Sequence, residues 1–175
     1  MKKLFLCLML LTFFSINVFA ARPSGWGLGV LGQYNIAWDG FDRDWGVALS
    51  LKAPQYPIYW GVILNIDDSI FGLNFTGDRY LLEENFADDV NFGWYMGLGA
   101  YAGFNRYNSA RINWTSLRAG ARVPIGFYIV PVRFFEAFFH LAPSLGIAAF
   151  FGDYPERSIM PEGGMGLDIG VRFWF

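Results

Sequence analysis

The sequence predicts an all-β fold, an eight-stranded antiparallel up-and-down transmembrane β-barrel. Three observations predict it. Apolar residues alternate with small or polar ones in repeated stretches from about residue 25 to the C-terminus. That period of two sends successive side chains to opposite faces of a strand. Hydrophobic residues make up 54 % of the 175 and charged residues only 16 %, against roughly 25 % charged in soluble domains. Yet after residue 20 no apolar run is long enough for a membrane-spanning helix of ~20 residues. The strongest candidate, 123–139, is interrupted by Pro124, Pro131, Arg133 and Glu136. A chain this apolar, without a helical span, must cover its surface another way. Disorder and a coiled coil are excluded by the same composition, which is rich in aromatics and glycine and not dominated by Ala, Glu and Lys.

The N-terminus carries Met1, Lys2 and Lys3, then an apolar run over 4–14, then Ser15-Ile16-Asn17-Val18-Phe19-Ala20. A basic start, a short apolar centre and a small-residue end predict a secretory signal peptide over 1–20, cleaved after Ala20. Residues 21–175 then form a single domain. Cys7 is the only cysteine and lies early in the apolar run, so it suits no lipoprotein site, and the mature chain can form no disulfide. Losing Lys2 and Lys3 from the 13 basic residues leaves 11 against 15 acidic ones, a net charge of −4. There is no basic stripe, which excludes nucleic acid as a partner.

The strands are expected in order at 25–35, 43–52, 58–66, 70–80, 92–104, 114–126, 134–150 and 164–175. Trp26, Leu28 and Val30 alternate with glycines in the first, and Trp45, Val47, Leu49 and Leu51 mark the second. Trp60, Val62 and Leu64 mark the third, and Phe71, Leu73 and Phe75 the fourth. The fifth carries Phe92, Trp94, Met96 and Leu98, the sixth Leu117, Ala119, Ala121 and Val123, and the seventh Leu141, Leu145 and Ile147. Residues 127–135 could extend the sixth or the seventh around a turn at Pro131. The last strand is the clearest, with Met165, Leu167, Ile169, Val171, Phe173 and Phe175 separated by Gly164, Gly166, Asp168, Gly170, Arg172 and Trp174. Turn residues such as Asp39-Gly40, Ala53-Pro54 and Asp67-Asp68-Ser69 separate the strands.

One strand face is continuously apolar and the other is glycine-rich with sparse charges. A soluble barrel would enclose the bulky face and show water a surface too poor in charge. A membrane barrel turns the bulky face to lipid, and glycines on the inner face let a small barrel close. Closure is also required, because an unpaired strand edge has no solvation in hydrocarbon. Trp26, Tyr34, Trp45, Trp94, Phe173 and Phe175, near strand ends, suit interfacial aromatic girdles.

The final segment, with Leu167, Ile169, Val171, Phe173 and Phe175 in alternation, resembles the C-terminal signal of bacterial outer-membrane β-barrels. The mature chain is similar to the eight-stranded barrels typified by the transmembrane domain of outer membrane protein A. Gly72-Leu73-Asn74, Trp94-Tyr95-Met96-Gly97-Leu98-Gly99 and Ala142-Pro143-Ser144-Leu145-Gly146 look closest to short spirochaetal versions. The resemblance implies the outer membrane of a diderm bacterium, recognition of those five residues by the outer-membrane assembly machinery, and loops that can bind a host ligand.

Strand parity sends Lys52, Arg118, Arg122 and Arg172 to the lumen, with Asp44, Asp78, Glu136 and Asp168. Buried charges must be paired, so this balanced set predicts a salt-bridged plug. Asp44, Lys52 and Asp78 are expected at strand ends in water. Arg118, Arg122, Glu136, Asp168 and Arg172 are expected to form the network, with both carboxylates facing the arginines. A channel would favour a ring of one sign. A hydrolase or acyltransferase would need a nucleophile and a base in reach. His140 shares a face with Ser144 and Glu136, but residues four apart on a strand are roughly 13 Å apart, so His140 reads as a lumen hydrogen-bonding residue. One His and no mature Cys offer no metal centre, and no cofactor loop is present. The reading that follows is a non-enzymatic structural or surface-interaction protein, adhesin-like, acting through loops at 36–42, 67–69, 105–113 and 151–163. The alternatives are a small channel or a conduit for hydrophobic molecules, and a lipid-modifying enzyme.

Overall fold

The computed structural model describes residues 22–38, 43–66, 70–87, 91–108, 113–153 and 159–175. Its regular elements are β1 (Gly27–Ala37), β2 (Arg43–Lys52), β3 (Tyr59–Ile66), β4 (Ile70–Ala87), β5 (Phe92–Asn108), β6 (Asn113–Arg122), β7 (Ile125–Val132), β8 (Phe135–Gly152) and β9 (Ile159–Trp174). The expected leader and its cleavage point lie outside the described residues. Among the described residues no helix is long and apolar enough to cross a membrane.

Each strand pairs antiparallel with its neighbours in chain order. The last returns to the first through Leu28↔Phe173 and Tyr34↔Leu167, so the ladder closes on itself. One position is shared by two segments. Both β6 and β7 pair with β5 on one side and β8 on the other, which makes them a single strand line broken at Val123-Pro124. Proline has no N–H for the ladder. The break is held in line because Val123 N donates to Pro143 O and Gly97 N donates to Pro124 O. Nine described segments thus build an eight-position up-and-down barrel.

Several boundaries differ from the expectation. β7 continues through Pro131 to Val132, and the turn falls at Arg133-Phe134. A register shift between Ile129 and Val132 accommodates the missing donor of Pro131. β4 runs to Ala87 rather than 80, because a bulge between Tyr80 and Leu82 keeps the pairing with β5 while inverting the parity. Glu83, which would otherwise face outward, thereby stands opposite inward-facing Tyr95. Finally, β4, β5, β8 and β9 have 18, 17, 18 and 16 residues, well beyond the ~9–11 a span needs. Residues 36–37, 105–108, 113, 151–152 and 159–163, expected in loops, are strand. The β8–β9 ladder runs past the end of β1 (Ala37↔Gly164) to Ala149↔Ile159. This leaves a projecting wall at one end, the loop end. The start of β1 and the end of β9 lie at the other, the terminal end.

Outward side chains are apolar over the whole perimeter. Val47 is 69 % and Ile169 59 % exposed, and Leu28, Leu49, Leu117, Leu145 and Ile147 are likewise exposed. A continuous surface of this kind exceeds what water tolerates on a monomer and is the exterior of a transmembrane barrel. Trp26, Trp60, Phe173 and Phe175 are exposed toward the terminal end, and Trp38, Trp45 and Phe151 toward the loop end. Inward positions carry glycines where a Cβ has no room. A Cβ on Gly99 would collide with the Asp78 carboxylate, and one on Gly27 would sit 2.6 Å from Arg172 Cδ.

Candidate functional site: the ionic layers of the lumen

The lumen is filled in layers set by strand register. Halfway up, β6 presents Arg122 inward, where β4 brings Asp78 and β9 brings Asp168. Arg122 Nη2 lies 2.8 Å from Asp168 Oδ2, and its Nε 3.3 Å from Asp78 Oδ1. His140, the direct β8 partner of Asp168, places Nε2 2.7 Å from Asp168 Oδ2 and Nδ1 2.8 Å from the Tyr95 hydroxyl. Asp168 only accepts, so Nε2–H donates to it, and Arg122 Nη2 lies 2.9 Å from the same nitrogen. Gln33 Nε2 donates to Asp168 Oδ1 at 2.8 Å. Asp168 thus draws partners from β1, β6 and β8, and is buried like Arg122 and His140.

Below this lies an apolar layer of Leu31, Ala48, Ile63 and Phe138. Toward the terminal end comes a second ionic layer. Glu136 is fully buried. Its Oε2 accepts from Arg172 Nη1 at 3.0 Å and from Trp174 Nε1 at 2.9 Å. Arg172 also donates to Ser50 Oγ from Nη2 at 2.9 Å, and its guanidinium lies 4.7 Å from the Tyr59 ring centre and 4.6 Å from that of Phe138. Arg22 closes this end. It precedes β1, yet its side chain is 4 % exposed, with Nε 3.0 Å from Glu83 Oε1 and Nη2 3.3 Å from Glu136 Oε1.

Toward the loop end the lumen opens into a cavity of about 390 Å³, lined by Asn35, Asp44, Asn74, Tyr101, Arg118 and Glu162 among others. The Tyr101 hydroxyl donates to Glu162 Oε1 at 2.7 Å. Arg118 Nε lies 3.9 Å from Glu162 Oε2.

Of the five residues expected to form the network, four fall into two separate clusters, Arg122 with Asp168 and Arg172 with Glu136. Arg118 joins neither and sits in the cavity above. Asp78, expected in water at a strand end, is buried at 4 % exposure, because β4 extends well past it. Lys52 does sit at a strand end, where Nζ donates to Ala53 O and Tyr56 O. Asp44 lines the loop-end cavity. His140 is held by Tyr95 and Asp168, whereas Ser144 Oγ donates to Gly164 O at 3.4 Å and Glu136 bonds elsewhere. Neither Ser144 nor Glu136 is hydrogen-bonded to His140, whose ring nitrogens contact Tyr95, Arg122 and Asp168. The outward residues Leu167, Ile169, Val171, Phe173 and Phe175 lie on or just beyond a strand that pairs on both sides.

Sequence reasoning missed Gln33, Ser50, Tyr95 and Trp174, although each has inward parity and a hydrogen-bonding group. Alternation gives no signal for Glu83, which follows the expected end of the fourth strand at 80, for Glu162, in the expected loop 151–163, or for Arg22, which precedes the first strand.

No family model matches the chain, and no curated protein matches it in sequence. Among solved structures it is similar to the crystal structure of Neisserial surface protein A, with 10 % identity and a TM-score of 0.52, covering 87 % of this chain and 97 % of that one. The N-terminal β-barrel domain of Pseudomonas aeruginosa OprF aligns at 12 % identity and a TM-score of 0.46, covering 84 % and 97 %. At such identity the first likeness concerns the fold.

Proposed function

We propose that the chain is an outer-membrane β-barrel protein of a diderm bacterium, non-enzymatic, with a lumen closed by ionic layers and a structural or ligand-binding role carried by its loop end. The observation that carries this is the Arg122–Asp78–Asp168–His140 cluster, which crosses the lumen with Arg122 in contact with a carboxylate on either side. A single-sign ring suits conduction, whereas buried opposite charges hold one another across the lumen, and removing one partner of such a pair costs about 3–5 kcal/mol. The projecting β5–β6–β8–β9 wall and the polar cavity beneath it form the surface offered to an extracellular ligand, in an adhesin-like role. Leu167, Ile169, Val171, Phe173 and Phe175 serve as the assembly signal read by the outer-membrane assembly machinery, and the lipid bilayer covers the exterior.

The decisive experiment is single-channel recording of residues 21–175 refolded into a planar bilayer. A folded but silent barrel is expected. Stable conductance overturns the closed lumen and selects the channel.

One observation favours a conduit for hydrophobic molecules as the second reading. An outward-facing apolar groove of about 650 Å³ is bordered by Val30, Phe127, Ile129, Phe139, Ile169 and Val171. Its lining also includes Leu31 and Phe138 of the inner apolar layer, so passage would require those two to part. Release of an apolar dye from loaded vesicles by the barrel would support this reading.

A further inference from the structure

Arg22, which closes the terminal end of the lumen, is enclosed by aromatic rings as well as by carboxylates. Four tyrosines from four strand positions surround its guanidinium, with ring centres at 3.9 Å (Tyr128), 4.5 Å (Tyr95), 5.0 Å (Tyr80) and 5.7 Å (Tyr59). The rings support one another, with Tyr59–Tyr80 centroids 4.2 Å apart and Tyr80–Tyr95 4.1 Å apart. The separation from Tyr128 is that of a planar cation stacked on a ring face, which guanidinium suits better than a compact ammonium. Glu83 and Glu136 complete the enclosure at 3.0 and 3.3 Å. Aromatic faces with two carboxylates are the chemistry of a cation-recognition pocket.

The pocket is built by the barrel, but its occupant is not. Tyr59, Tyr80, Tyr95, Tyr128, Glu83 and Glu136 stand on β3, β4, β5, β7 and β8, held by the ladder. Arg22 stands on a short segment outside it, tied at Trp26 by reciprocal backbone hydrogen bonds with Phe175 of 3.0 and 2.8 Å. Glu136 keeps Arg172 and Trp174 as partners without Arg22. Removing Arg22 therefore leaves a walled site rather than a collapsed one.

We propose that the terminal end of the lumen is a guanidinium-binding site whose resident ligand is Arg22 of the same chain, and that a soluble monoalkylguanidinium can take its place. This goes beyond the closed-lumen reading and holds whether or not the barrel conducts.

The test uses the full mature chain, wild type and Arg22→Ala, refolded in detergent with ethylguanidinium, tetramethylammonium or sodium chloride at equal millimolar concentration. In Arg22→Ala, ethylguanidinium should raise the thermal midpoint by several degrees and change tyrosine fluorescence saturably. Tetramethylammonium should do so weakly and sodium chloride not at all. The wild type, with its site filled, should respond to none. If Arg22→Ala refolds poorly, the refolding yield becomes the readout, and rescue by ethylguanidinium alone supports the site. The proposal is overturned by no shift and no rescue in Arg22→Ala, by equal responses to all three salts, or by an equal response of the wild type.

Discussion

Glu136 and Arg172 stand directly opposite each other across the β8–β9 ladder, joined by a 3.0 Å ion pair, and four residues along the same ladder His140 stands opposite Asp168 at 2.7 Å. One register therefore places both ionic layers. A slip of one residue would turn the whole inner set toward lipid.

Removing one partner should cost far more than removing both. Glu136→Ala leaves Arg172 and Arg22 without their shared carboxylate, and should destabilise the barrel by about 3–5 kcal/mol, the range for breaking a buried pair. Adding Arg172→Met to Glu136→Ala should recover part of that loss, with a coupling of about 1–3 kcal/mol. Urea-dependent refolding into lipid vesicles measures both. Strict additivity would show that the two side chains do not interact in the folded barrel.

The central cluster should govern ion passage. Wild type is expected to be silent in a planar bilayer, and Arg122→Ala/Asp168→Ala, which removes the cross-lumen pair at 2.8 Å, should give small but reproducible conductance. Silence of the double variant would mean that the apolar layer of Leu31, Ile63 and Phe138 closes the lumen by itself.

Two glycines should separate by what lies above them. A Cβ on Gly99 would meet the Asp78 carboxylate, whereas nothing stands within 4 Å of the one on Gly32. Gly99→Val should cut refolding yield severely, with a loss of roughly 1–3 kcal/mol typical of overpacking. Gly32→Ala should lie within about 0.5 kcal/mol of wild type. Heat-modifiable migration on a gel reads both, and equal behaviour would refute the distinction.

Phe175 is the test of the assembly signal. It is 80 % exposed, so it contributes little packing within the barrel. Phe175→Ala should refold in detergent nearly as wild type while accumulating poorly in outer-membrane fractions of cells. Equal accumulation would remove Phe175 from the signal.

Alternation in the sequence was enough to determine the strand class, the direction of the inner face and the identity of most lumen residues. It is a local property, needing only that neighbours along a strand point opposite ways. Asp168 and Arg122 could be placed on that face from their own surroundings in sequence. Which charge meets which could not, because Arg122–Asp168 and Arg172–Glu136 join residues 46 and 36 apart, and only ladder register and ring closure bring them together. The same limit explains Asp78, drawn into the centre when β4 ran on past its expected end, and Glu83, turned inward by a bulge. Arg22 marks the extreme case. It lies before any periodic element, and its burial was decided wholly by a tyrosine-lined cavity that exists only once the barrel has closed.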